Sequence, residues 1–160
     1  MSSSETAEEA AEILLVEDNP ADVELTLRAF RKHGLNARIK VVGDGLEAVQ
    51  YLFGEGPYAG RRSEDAPKLV LLDLKLPVLD GVEVLRRIRA DPRTHNIPVV
   101  ALTSSVLDRD VLETYELGVN SYIVKPVDFQ QFNEAARVIG SYWLLLNKAP
   151  PAGRSGSWRP

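Results

Sequence analysis

The chain has no cysteine among its 160 residues. Disulfides, thiolate metal sites and cysteine nucleophiles are therefore excluded, and the absence suits a reducing compartment. Two histidines, His33 and His95, stand far apart with no nucleophile beside them; both read as surface residues. No apolar run approaches the roughly 18 residues that a membrane span requires. The first dozen residues are acidic and rich in Ser and Ala, unlike a secretory leader. Basic residues are not in excess either: 19 stand against 23 acidic ones, for a net charge of -4. That balance argues against sequence-independent nucleic-acid binding, which needs clustered Lys and Arg. Neither a G-x-G-x-x-G nor a G-x-x-x-x-G-K phosphate loop is present, which disfavours a flavodoxin-like or nucleotide-binding reading. The expectation is a cytoplasmic, water-soluble protein that binds neither nucleic acid nor membrane.

What is present suits one globular unit, with 44% hydrophobic and 26% charged residues. Such a length can bury a substantial core without metal or disulfide. Residues 1–11 and 148–160 (KAPPAGRSGSWRP) are expected as disordered tails around a folded domain at 12–147. Within that domain short aliphatic runs recur at 13–16, 39–42, 69–72, 99–102 and 122–124, as strands buried on both faces should. Amphipathic stretches separate them. Asn19-Pro20 reads as N-cap and first helical residue of a helix running to about His33 and stopping at Gly34. Further helices are expected at Asp44–Phe53, Val82–Ala90, Leu107–Leu117 and Asp128 to about Leu146. Alternating strands and helices imply right-handed crossovers and a three-layer, doubly wound α/β domain. Residues 54–68 form a long polar connection, functional or mobile, whose Arg61-Arg62 pair reads as solvated.

Ligands of an open parallel sheet sit beyond the carboxyl ends of its strands. The residues there are Glu17-Asp18, Asp73, Thr103 and Lys125-Pro126. Taken singly, each is most simply a solvated loop residue or a helix cap. Together on one edge they are three carboxylates, a hydroxyl and an ammonium. Crowded carboxylates need a cation, and oxygen-only donors favour a hard one such as Mg²⁺. A carboxylate beside Mg²⁺ can attack phosphorus and become an aspartyl-phosphate, with Lys125 and Thr103 placed to neutralise the phosphoryl oxygens.

The run Val16-Glu17-Asp18-Asn19-Pro20, followed by LLDLKLPVLDG (71–81), ALTSS (101–105) and GVNSYIVKP (118–126), resembles the receiver domain of two-component response regulators. The resemblance implies a (βα)5 flavodoxin-like fold with parallel strand order 2-1-3-4-5. It implies Asp73 as phosphoacceptor, and Glu17 and Asp18 as the acids that hold Mg²⁺ with Asp73 and the backbone carbonyl of Lys75. It further implies Thr103 as the switch hydroxyl, Tyr122 as the aromatic that moves with it, and Lys125 as the lysine that pairs with the phosphorylated acceptor. Pro126 would carry a cis peptide before it. Glu17 stands where Asp is commoner, which bears on the metal coordination.

Gly-Pro-Tyr (56–58), DPRTHNIPVV (91–100), Tyr115-Glu116-Leu117 and Ser-Tyr-Trp-Leu (141–144) look like the small response regulators paired with bacterial and cyanobacterial phytochromes. The implied function is a single-domain response regulator that takes phosphate from a histidine kinase, such as a bacteriophytochrome, and signals through a change in its helix 4–strand 5–helix 5 face. The last helix carries two apolar stripes: Phe129, Phe132, Ala136, Ile139 and Trp143, then Ala135, Val138, Tyr142 and Leu145. Either both pack, or the second leaves a patch for a homodimer. The alternatives are a constitutive interaction module and a Mg²⁺-dependent phosphatase. The latter usually carries Asp two residues beyond its nucleophile, where this chain has Lys75.

Overall fold

Burial on both faces is what the strands share, and it sets the architecture. The computed structural model describes residues 10–35, 37–62, 65–125, 128–148 and 150. Its strands are β1 (Ile13–Val16), β2 (Ile39–Val42), β3 (Leu69–Leu72), β4 (Val99–Thr103) and β5 (Ser121–Val124). Its helices are α1 (Pro20–Lys32), α2 (Gly45–Phe53), α3 (Gly81–Ala90), α4 (Asp108–Glu116) and α5 (Phe129–Gly140). All four strand pairings are parallel, in the order β2-β1-β3-β4-β5.

Successive side chains of a strand point to opposite faces, and here each face meets helices. Leu14, Val16, Val70, Leu72, Val99 and Ala101 pack with α2 and α3. Ile13, Leu15, Leu69, Leu71, Val100 and Leu102 pack with α1 and α5. Both sets are buried, so the central strands show no polar alternation in sequence. The edge strands β2 and β5 are only half covered.

Side-chain caps fix where helices start. Asn19 Oδ1 accepts from the N–H groups of Ala21 and Asp22 at 2.9 and 3.3 Å, with Pro20 at the first position. Asp44, Asp80 and Asp128 cap α2, α3 and α5 in the same manner. Helix α4 is the exception, since its cap position is Leu107 and has no side-chain cap bond. It buries only Thr114 and leaves Leu112 and Tyr115 exposed.

Three local readings change. The fifth helix is not α-helical to Leu146: α5 ends at Gly140, and Ser141–Leu146 form a π-helical turn closed by the Asn147 N–H on the Tyr142 carbonyl at 2.7 Å. Gly140 and Ser141, poor helix formers, sit at that junction. Gly140 also lets α5 approach α1, where a Cβ would stand 2.2 Å from Leu35 Cδ1. Arg61 is not simply solvated: its guanidinium lies 3.7 Å over the Tyr51 ring, and Nε donates to the Tyr51 carbonyl at 3.0 Å. With Tyr58 Oη donating to Glu47 Oε2 at 2.7 Å, this ties the described part of the 54–68 connection to α2. His33 ends α1 half-buried, with Nε2 enclosed and without a hydrogen-bond partner.

Ala11 is already buried and the Glu12 N–H bonds the Arg38 carbonyl at 2.8 Å. The expected tails otherwise fall largely at 1–9 and 151–160, outside the described residues, as does the Lys125–Pro126 peptide. Among the described residues, no helix is long and apolar enough to cross a membrane.

Candidate functional site

Parallel pairing in register brings the ends of β1 and β3 side by side, with Val16 opposite Leu72. Glu17 and Asp73 follow those residues directly and are neighbours at the point where chain order reverses. Glu17 is 4% exposed and Asp73 7%, unusual burial for carboxylates. Asp18, next along, faces solvent. Glu17, Asp18 and Asp73 each offer an oxygen, all within 4.8 Å of one another. Carboxylate donors alone at that spacing suit a hard divalent cation.

Lys125 follows β5 and reaches back across the mouth. Its Nζ donates to Glu17 Oε2 at 2.6 Å, Asp22 Oδ2 at 2.8 Å and Asp73 Oδ2 at 3.0 Å, which uses all three of its donors. Burial alone lowers the lysine pKa, but the hydrogen bonds to Asp22, Glu17 and Asp73 outweigh it, and the net shift is upward. Lys125 is therefore an ammonium at any ordinary pH. Glu17 moves the other way for a carboxylate. Burial, with the Asp73 charge adding to it, pushes Glu17 up to about 7, against the opposing bonds from Lys125 and the Asn19 N–H. One ammonium does not neutralise this group of acids.

The loop that follows β3 is held from both sides. The Lys75 N–H donates to Asp73 Oδ1 at 3.1 Å, so each Asp73 oxygen has one donor. Gly81, the first residue of α3, lies so close beneath that a Cβ would stand 2.2 Å from the Asp73 carbonyl oxygen. Gly45 does the same for the far side of the loop, where a Cβ would meet the Leu79 carbonyl oxygen at 1.7 Å. Between them Val78 takes φ +69° and is 74% exposed. That left-handed conformation is a steric outlier for a β-branched residue.

Thr103 is fully buried at the end of β4, its Oγ1 accepting the Ser105 N–H at 3.4 Å. Among the described residues no hydrogen bond joins it to Asp73. Tyr122 packs half-buried against the core, and its hydroxyl donates to the Ser105 carbonyl at 3.1 Å. Ser105 Oγ in turn donates to Asp110 Oδ2 at the start of α4, and Lys75 Nζ lies 3.9 Å from that same oxygen. The loop after β3, the end of β4, Tyr122 and α4 thus share one polar chain. Beside it opens a groove of about 600 Å³ lined by Asp18, Lys75, Pro77, Arg86 and Asp110 among others.

The structure therefore gathers Glu17, Asp18, Asp73 and Lys125 at one point, with Lys75 bonded to Asp73 through its backbone. Thr103 and Tyr122 join by way of Ser105. The sequence reading missed Asp22, which lies in the first turn of α1 and not directly after a strand.

A family model of the response regulator receiver domain matches residues 13–137. The chain belongs to that family. The probable methanogenesis regulatory protein FilR2 of Methanothrix harundinacea is 45% identical over 145 residues, 90% of each chain. Response regulator Rcp1 of Synechocystis is 38% identical over 140 residues, covering 88% of this chain and 93% of Rcp1. The crystal structure of the Mn²⁺-bound form of Rcp1 superposes with a TM-score of 0.80 at 37% identity, over 88% of this chain and 99% of that one. That of the phosphorylated cyanobacterial phytochrome response regulator RcpA gives 0.81 at 40% identity, with the same coverage of 88% and 99%. The sheet order is that of the flavodoxin-like receiver fold. This chain is thus a receiver domain of two-component signalling, with an acidic cluster at its site.

Proposed function

We propose that Asp73 accepts a phosphoryl group from a phosphohistidine of a partner kinase, with Mg²⁺ held by Glu17, Asp18, Asp73 and the Lys75 backbone carbonyl. The observation that carries this is the meeting of three carboxylates within 4.8 Å under a lysine bonded to the two buried ones, Glu17 and Asp73. When bound, Mg²⁺ supplies charge neutralisation of the transferring phosphoryl oxygens. An Asp73 carboxylate oxygen forms the new P–O bond while the P–N bond to the kinase imidazole breaks, and its electron pair leaves with the imidazole. Lys125, permanently charged, stays beside the product and pairs with a phosphoryl oxygen. Thr103 donates its hydroxyl to another, and Tyr122 and α4 follow through Ser105 and Asp110. Water attacking the phosphorus later restores the carboxylate and releases inorganic phosphate.

The output surface is the α4–β5–α5 face. Leu112, Tyr115, Val124 and Val138 are exposed on it, and Tyr142, Leu145 and Leu146 extend it. The first stripe of the last helix packs, through Phe132, Ala136 and Ile139, while the second is largely exposed, as a homodimer contact would need. Its partner is read as a phytochrome-type histidine kinase, such as a bacteriophytochrome, from the likeness to RcpA and to the bacteriophytochrome response regulator AtBRR, and its place as the cytoplasm. Domain limits of 12–147 accompany this reading.

The test is intact-protein mass after incubation with Mg²⁺ and phosphoramidate, with D73A alongside and size-exclusion chromatography on the same samples. Gain of one phosphoryl group that requires Mg²⁺ and Asp73 is expected, with earlier elution of the phosphorylated form. An equal gain in D73A, or none in either, would refute acceptor chemistry and favour a constitutive interaction module. Steady release of phosphate from small esters would favour the phosphatase.

A further inference from the structure

Asp22 stands apart from the other acids around Lys125. Glu17 and Asp73 belong to the group of three whose oxygens converge within 4.8 Å, and Asp22 does not. Its carboxylate comes from the first turn of α1, where Asn19 Oδ1 holds its N–H at 3.3 Å and its carbonyl accepts from Thr26 Oγ1 at 2.8 Å. An acid in a first helical turn has an ordinary explanation in the helix dipole. The dipole does not require a contact with a lysine beyond β5, at the far end of the chain. Yet Asp22 Oδ2 sits 2.8 Å from the Nζ of Lys125, whose side chain is only 12% exposed.

Two of the three acceptors of Lys125, Glu17 and Asp73, are carboxylates that a divalent cation would also draw on. The ammonium and the cation are therefore rivals for Glu17 and Asp73. Asp22 is the one acceptor the lysine does not share. We infer that Asp22 is a positioning residue for Lys125, holding its ammonium beside Asp73 when Glu17 and Asp73 turn their oxygens to a divalent cation. Without it, the lysine must either compete for those oxygens or leave the acceptor for solvent. This rests on the reading of Glu17, Asp18 and Asp73 as the metal site.

The test is a double-mutant cycle read by metal affinity, using Mn²⁺ followed by its EPR signal and Mg²⁺ by calorimetry, without phosphodonor. D22N preserves shape and removes the charge. It is expected to weaken metal binding about 3- to 10-fold, because the lysine then competes harder for the shared acids. K125M removes the competitor and is expected to tighten metal binding. In that background D22N should change affinity by less than about 2-fold. Phosphoramidate labelling of D22N at saturating metal should also slow severalfold, since the lysine is no longer held. An equal loss in both backgrounds would show that Asp22 acts by its charge alone and would overturn the inference; so would an unchanged affinity in D22N. Should K125M not fold, a crystal structure of the Mn²⁺-loaded wild type decides. Nζ should remain about 3 Å from Asp22, and a lysine found away from Asp22 would refute the assignment. Failure of the wild type to bind either metal would instead sink the metal-site reading, and the two failures are distinguishable.

Discussion

Glu17 tests whether burial or ion pairing governs this site. Its carboxyl is 4% exposed yet 2.6 Å from the Lys125 ammonium. An ion pair would lower its pKa and burial raises it, and burial prevails here, from 4.5 to about 7. A carboxyl whose folded pKa exceeds its unfolded value binds its proton more tightly in the native state. Its stabilising contribution is complete below about pH 4.5 and is lost as pH rises through about 7. At roughly 1.4 kcal/mol per pKa unit the loss is at most about 3 kcal/mol. E17Q cannot ionise and escapes it. The stability of E17Q relative to wild type, from urea unfolding followed by circular dichroism in EDTA, should therefore rise by up to about 3 kcal/mol between pH 4.5 and 8. Divalent cation should oppose the trend in the wild type alone. At a free concentration 100 times its Kd it would add about 2.7 kcal/mol. A difference between the two proteins that is flat, or that falls with pH, would mean that Lys125 holds Glu17 ionised and that the burial argument is wrong.

Three further perturbations follow from the geometry around the acceptor. V78G should raise stability by about 1 kcal/mol, because relief of a β-branched residue at positive φ, on the order of 1–3 kcal/mol, outweighs the roughly 0.4–1 kcal/mol of added chain freedom; an unchanged or lower urea midpoint would contradict the strain. G81A places a methyl against the Asp73 carbonyl oxygen and should destabilise by about 2–4 kcal/mol, with weaker phosphoryl acceptance even in molecules that fold. A wild-type labelling rate in that variant would show that the loop absorbs the clash. R89K should cost about 2–4 kcal/mol in urea unfolding, since the Arg89 guanidinium bonds the carbonyls of Gly118, His95 and Ile97 as well as Asn120 Oδ1, and a lysine cannot span them.

Much of the fold was legible because the central strands are aliphatic runs with no polar alternation and every helix but α4 opens on a side-chain cap. Asn19-Pro20, Asp44, Val82 and Asp128 mark starts that the structure keeps to within a residue or two. The strand order came from family resemblance, because apolar runs do not say which of them pair. Most of the site was legible by looking just past the strands, which is where Glu17, Asp18, Asp73, Thr103 and Lys125 lie. Asp22 escaped that search. It sits inside a helix, in a turn where acids are common for reasons unconnected with any ligand, and only the reach of a lysine from β5 makes it part of the site. The π-helical turn after Gly140 and the bonding of Arg61 to Tyr51 depend on tertiary contacts, and no local pattern announces them.

Several departures from ordinary folding rules gather around Asp73. Excess buried carboxylate, a β-branched residue at positive φ, and two glycines pressed on backbone oxygens all fall within the few residues that frame Asp73. Each costs stability, and together they need a compensating source, which the two apolar layers on the sheet supply. The carboxylates gathered there outnumber the one ammonium that pairs with them, so the site carries an excess of negative charge. A change of charge at Asp73 has a route outward. Lys75, Asp110 and Ser105 connect the loop to α4, the helix that lacks a side-chain cap and buries only Thr114. A sparsely anchored helix is thus joined to the charged site. S105A, which removes the hydroxyl bridge to Asp110, should leave phosphoryl gain at Asp73 intact while uncoupling it from any shift in α4. Amide hydrogen exchange across 106–117 with and without phosphoramidate would show it. A phosphorylation-dependent change in S105A equal to that of the wild type would mean that the signal leaves by another path.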